Sequence, residues 1–290
     1  MLNVSLKKFK NLHKKKINQV IFSSLKTDGK TEISNLINNF LLEKNSFIFE
    51  SVEKRRIRGR YTIIGSDPDK IWDFNNKKIY LSENKNKRLI RASPYLYLKK
   101  LIENFNFPLP KNLPPLCSLL VGYFSYDIIR YIEKVPNTCK DDLKLPDVRL
   151  MRPKILIIHD NLKKKIFFII NVFKDEKINN YKKKYEEIKN ELIDLSIQAQ
   201  FQNKENIFKN QEKNNIVKSN TSKNRFINMV KKAKKYIKIG DIFQVVLSQR
   251  FETKLTKNPL DIYKKLRATN PSPFMYFFNF HDFQIIGASP

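Results

Sequence analysis

Residues 240–250, Gly-Asp-Ile-Phe-Gln-Val-Val-Leu-Ser-Gln-Arg, constrain the fold of this chain most tightly. A glycine able to close a helix stands directly before a β-branched run, so a helix must stop there and a strand begin. Alternation predicts a strand with Phe243, Val245 and Leu247 on one face, and Gln244, Val246, Ser248 and Arg250 on the other. The first face suits a core. The second suits either a polar cavity or solvent.

The neighbouring sequence gives this strand a setting. Upstream, Ser222 is placed to cap a helix whose Phe226, Met229, Val230, Ala233 and Ile237 recur every three or four residues, and Gly240 ends it. Downstream, Asn258-Pro259 opens a helix through Leu260, Tyr263 and Leu266, which Asn270-Pro-Ser-Pro273 stops. Residues 274–280 and 283–287 then read as an aromatic hairpin turning at His281-Asp282.

The first part of the chain has the same mixed character. Ile33, Leu36, Ile37, Phe40 and Leu41 predict an amphipathic helix over 31–44, followed by a strand over 46–51. Residues 61–65 resume as a strand, 66–69 read as a turn, and 72–74 with 78–82 complete an antiparallel meander. Pro94, with Ser93 as its cap, starts a helix. Residues 117–126 form a buried strand whose Gly122 suits close packing on a neighbour, and a short helical stretch follows. Pro146 and Pro153 bracket an irregular crossing before a hairpin of 154–160 with 165–172, and a charged helix covers 178–197. From Gln198 the text turns to asparagine, glutamine, lysine and serine, the signature of a linker. The expected organisation is a first domain over 1–197, a polar linker over 198–221 and a second domain over 222–290, in an α+β fold of mainly antiparallel sheets with flanking helices.

Composition excludes several function classes. The chain has a net charge of +29, yet its lysines are scattered with no aromatic-basic repeat, which argues against a nucleic-acid partner. Cys117 and Cys139 are too few for a disulfide scaffold and are expected as free thiols. His13, His159 and His281 are isolated, without zinc spacing, and are expected at the surface or in turns. The apolar run at 166–170 is too short for a membrane span and the amino terminus lacks a signal sequence, so a cytoplasmic protein without membrane contact is expected. Phosphate loops and nucleophile elbows are absent from the sequence.

Two stretches carry a family resemblance: Lys235-Tyr-Ile-Lys-Ile-Gly-Asp-Ile-Phe-Gln-Val-Val-Leu-Ser-Gln-Arg-Phe251 and Asn270-Pro-Ser-Pro-Phe-Met275. Phe49-Glu-Ser51, Arg58-Gly-Arg-Tyr-Thr-Ile-Ile-Gly65, Gly122-Tyr-Phe-Ser-Tyr-Asp127 with Arg130, and Leu145-Pro-Asp147 support it in the same order. Together they resemble the large, chorismate-utilising subunits of anthranilate synthases. The resemblance implies conversion of chorismate and ammonia to anthranilate and pyruvate in tryptophan synthesis, with magnesium. Ammonia would come from glutamine through an amidotransferase subunit. It further implies that the chain comprises a regulatory domain and the first part of a catalytic domain, without catalytic or metal residues of its own and inactive alone, the magnesium ligands lying beyond residue 290.

By the same resemblance Glu50, Ser51, Pro273, Phe274 and Met275 contact tryptophan as a feedback inhibitor. A carboxylate and hydroxyl at a strand end suit an ammonium group, and Phe274 with Met275 suits an indole. Gln244 is a candidate pocket residue. Isochorismate-forming relatives carry a lysine there as a base, a role glutamine cannot fill, so ammonia-using members are favoured. Aminodeoxychorismate synthase and a non-catalytic tryptophan-binding regulator are the alternatives. Arg58 and Arg60 are expected to be solvated or to bridge nearby acids.

Overall fold

A computed structural model describes residues 2–27, 33–52, 59–84, 86–114, 116–138, 140–201 and 216–290. The elements in chain order are α1 (Leu6–Lys14), β1 (Gln19–Lys26), α2 (Ile33–Phe40), β2 (Ser46–Glu50), β3 (Tyr61–Asn75), β4 (Lys78–Glu83) and β5 (Asn86–Ile90). There follow α3 (Pro94–Glu103), β6 (Val121–Phe124), a 3-10 turn (Tyr126–Tyr131), β7 (Val148–Asp160), β8 (Lys165–Val172) and α4 (Tyr181–Gln198). The last are β9 (Lys218–Ser219), α5 (Lys223–Lys238), β10 (Phe251–Glu252), α6 (Pro259–Thr269), β11 (Phe274–Asn279) and β12 (Gln284–Ser289). Contacts divide the chain into two units, Met1–Lys204 with Pro259–Pro290, and Glu205–Asn258. The stretch expected as one domain over 222–290 is therefore shared between the two. Residues 202–215 of the expected linker, Arg58 and Cys139 lie outside the described residues.

The first unit is built on one antiparallel sheet of order β1-β8-β7-β3-β2-β11-β12, with β4 and β5 continuing from β3 and β6 paired to β7. With helices packed against it, this is the α+β architecture expected. Pleating explains its apolar runs. In β8 Ile166, Phe168 and Ile170 face a core shared with α1, α2, α4 and α6, while Phe167 and Ile169 face a second core around Phe47, Met151, Leu156 and Cys117. Every residue of β8 from Ile166 onward is buried, so an unbroken apolar run is the signature of a strand covered on both sides. Cys117 is a free, buried thiol.

Two corrections concern proline. Residues 66–69 do not turn; β3 runs from Tyr61 to Asn75, and its register against β7 shifts between Pro68 and Lys70. Asp67 takes a φ of 48° at this irregularity, which lets Pro68 remain in the strand without a ladder donor. Pro153 pairs with Pro68, so β7 passes through the expected irregular crossing and begins at Val148.

Two of the histidines are inside, against expectation. His13 is 4% exposed with its Nδ1 3.1 Å from the Tyr181 hydroxyl, and His159 is 7% exposed in β7; only His281 is exposed. Burial pulls the His159 pKa below its ordinary value although Asp160 opposes the shift. The unfolded chain therefore binds the proton more readily than the folded one. This contribution to stability is intact above the unfolded value of about 6.5 and is lost as pH falls through the lower folded value. Urea unfolding at pH 7.5 and 5.5 should show wild type losing more stability on acidification than His159→Gln; equal losses would refute the assignment.

Arg149 ties distant elements together. Its guanidinium donates to both Asp73 oxygens, at 2.6 and 2.9 Å, and to both Asp282 oxygens, one at 3.2 Å. It also lies over Phe280 and Phe283, 5.3 and 4.9 Å from the ring centroids. Burial alone would pull the Asp282 carboxyl upward, but the Arg149 hydrogen bonds and charge hold it below the usual range. The tip of the β11–β12 hairpin is thereby anchored on β3 and β7. Arg60, as expected, bridges an acid, Asp160, at 2.9 and 3.0 Å.

In the second unit, Ser222 caps α5 by accepting from the Arg225 N–H at 3.3 Å. Gly240 takes a φ of +83°, donating to Ile237 while Asp241 donates to Tyr236, the paired bonds that close a helix at a left-handed glycine. The segment after it is not the expected strand. Residues 241–250 lie in no helix or strand, pairing resumes only at β10 with β9, and Phe243 is 98% exposed. Alternation is genuine, but a strand needs a ladder, and no described strand lies beside this one.

Candidate functional site

Glu50 ends β2 and stands opposite Met275 of β11. One residue on, the Val52 N–H donates to the Ser272 carbonyl at 3.1 Å, and the Ser272 hydroxyl donates to Ser289. Ser51 is thus held between two cross-links to the segment that carries Pro273, Phe274 and Met275. The structure brings all five expected effector residues to one corner of the sheet. Gln244 belongs to the second unit, where it is exposed.

The pleat divides the five. Met275 is 1% exposed and joins Ile48 and Phe277 in the core beneath α6, whereas Phe274 is 66% exposed. Of the two side chains expected to form an apolar wall, that of Phe274 is exposed and that of Met275 is part of the core.

Glu50 is held from the helix side. Its carboxylate is turned to α6, where Arg267 Nε lies 2.8 and 2.9 Å from the two oxygens and the Tyr263 hydroxyl donates to one of them. Burial, then the Glu50 charge and hydrogen bond, push the Tyr263 pKa far up, so its proton stays in place to be donated. The Glu50 side chain is 1% exposed, and its charge is already matched. In the sequence Tyr263 reads only as part of an apolar helix face, and Arg267 is not singled out. Their signal was available: they stand four apart on one helix face, and an acid in an apolar strand requires a cation.

Elsewhere, a cavity of about 900 Å³ opens beside Tyr123, Arg130, Tyr131 and Asp147. Arg130 is committed there to Asp127, Val135 and Pro136, and the Tyr131 hydroxyl donates to Asp147 at 2.7 Å. Among the described residues no group of three or more histidine, cysteine, aspartate and glutamate side chains is placed to hold a metal ion. Among the described residues, too, no helix is long and apolar enough to cross a membrane.

A large antiparallel sheet flanked by helices agrees with the comparisons. Residues 44–290 match the family of chorismate binding enzymes, and the chain belongs to that family. Its relatives include anthranilate synthase component 1 of Acetivibrio thermocellus, 38% identical over 271 residues, covering 91% of this chain and 54% of the relative. The same component of Cereibacter sphaeroides is 34% identical over 283 residues, covering 94% of this chain and 56% of the relative. Among solved structures, anthranilate synthase component I from Streptococcus pneumoniae TIGR4 superposes with a TM-score of 0.66 at 29% identity, covering 83% of this chain and 52% of that one. The chain thus spans about half the length of the curated relatives it matches.

Proposed function

We propose that the chain is part of an anthranilate synthase large subunit, cytoplasmic, which converts chorismate and ammonia to anthranilate and pyruvate with magnesium. Its ammonia comes from glutamine through an amidotransferase partner. Within it, the corner formed by β2 and the 270–275 loop is the site of feedback by tryptophan. The observation that carries this is the meeting of Ser51 with the Pro273 loop, made by residues far apart in sequence. The Ser51 hydroxyl serves the polar groups of the amino acid, and Phe274 offers its exposed ring to the indole. Glu50 serves from behind, its charge matched by α6.

Calorimetric titration with tryptophan tests the site. Wild type should bind, and Ser51→Ala should bind about tenfold more weakly, the value of one hydrogen bond. Equal affinity in the two proteins would remove Ser51 from the site.

A further inference from the structure

We infer that Arg267 and Tyr263 are positioning residues of the effector site, acting through the Glu50 carboxylate. The inference rests on the tryptophan-site reading above. An uncompensated carboxylate at 1% exposure would be strongly unfavourable, so the α6 groups determine where the Glu50 side chain, and with it the end of β2, can lie. Tyr263 is fully buried, with its ring 5.7 Å from that of Phe277 in β11. Lys264, the next residue of α6, donates to Asn38 of α2. The helix is therefore fixed from several directions and can serve as a reference for the strand end.

From α6 the chain passes directly through Asn270-Pro-Ser-Pro273 into β11. The two prolines stiffen that connection. A single carboxylate thus joins three parts of the site: the end of β2, the helix, and the loop the helix leads into. Ser51 lies between this side-chain tie and the Val52 to Ser272 backbone bond. Because Glu50 and Met275 point to the helix side while Phe274 is exposed, Arg267 influences a ligand beside Phe274 through the backbone of β2 rather than by touching it.

Tryptophan titrations of Arg267→Ala, Arg267→Lys, Tyr263→Phe and Glu50→Gln, run well below each protein's melting temperature, test this. Arg267→Ala should weaken binding at least tenfold and Arg267→Lys should recover most of it. Glu50→Gln combined with Arg267→Ala should bind no more weakly than Arg267→Ala alone, since both act through one contact. A residue that only stabilised the fold would lower the melting temperature and leave affinity unchanged. Should Arg267→Ala fail to fold, Arg267→Lys and Tyr263→Phe carry the comparison, each expected to bind several-fold more weakly than wild type. Unchanged affinity in the Arg267 and Tyr263 variants, with Ser51→Ala weakened, overturns the positioning role alone. Absence of tryptophan binding by wild type overturns the site itself and the positioning role with it.

Discussion

Arg149→Ala is expected to cost the fold about 3–5 kcal/mol, the range for removing one partner of a buried ion pair. Arg149 and Asp73 side chains are each only 8% exposed, so truncation strands the Asp73 carboxylate in a site from which water is largely excluded. Asp282 and the faces of Phe280 and Phe283 lose the same guanidinium. Lys87, 3.6 Å from Asp73 but 56% exposed, offers partial compensation. Denaturant unfolding of Arg149→Ala, Asp73→Ala and the double variant measures the effect. The double variant should be less destabilised than the sum of the singles, because the stranded charge is gone. A single-variant loss below about 1 kcal/mol, the range of an exposed pair, would show that solvent or Lys87 satisfies Asp73.

Gly122→Ala is the second large effect. A Cβ built on Gly122 would fall 1.8 Å from the Arg149 carbonyl oxygen and 2.8 Å from its carbonyl carbon. Those are backbone atoms of β7, so neither can swing aside as a side chain would, and Arg149 is anchored at its other end. The strand β6 must lift from β7, giving up its pairing over Val121 to Phe124 and uncovering Val121, which is 3% exposed. A loss of about 3 kcal/mol is expected, at the upper end for overpacking. Unfolding curves give the magnitude, and amide exchange at residues 149–151 shows whether β6 has left the ladder. Normal protection there, with stability within about 0.5 kcal/mol of wild type, would refute the close approach.

Gly122 is also a case in which the sequence was legible, because a glycine among tyrosines in an apolar run marks backbone contact. The same holds for the helix at α2, the β7–β8 hairpin, the Ser222 cap, Gly240 and the terminal aromatic hairpin, each specified by local periodicity or turn chemistry. What local pattern could not show was decided by partners. Residues 66–69 look like a turn, and β7 makes them a strand with an irregularity. Residues 241–250 look like a strand, and no described strand pairs with them. His13 carries no mark of burial in its own surroundings; its burial comes from α4, whereas His159 follows an apolar run and is covered by the neighbouring strands. The candidate site followed the same division. Ser51 and Phe274 were visible in short motifs, whereas the commitment of Glu50 to Tyr263 and Arg267 depends on a helix 217 positions away from that acid.

That separation bears on biosynthesis. β2 lies between β3 and β11, so one of its two edges is completed only by sequence translated long after it. At ordinary elongation rates of about 5–20 residues per second, Glu50 waits on the order of ten seconds or more for Arg267 to appear. Throughout that interval a Phe-rich edge stands open on the nascent polypeptide, an invitation to intermolecular pairing. Yield in a cell should accordingly respond to chaperone supply and to translation speed through codons 51–274, independently of how stable the finished molecule is.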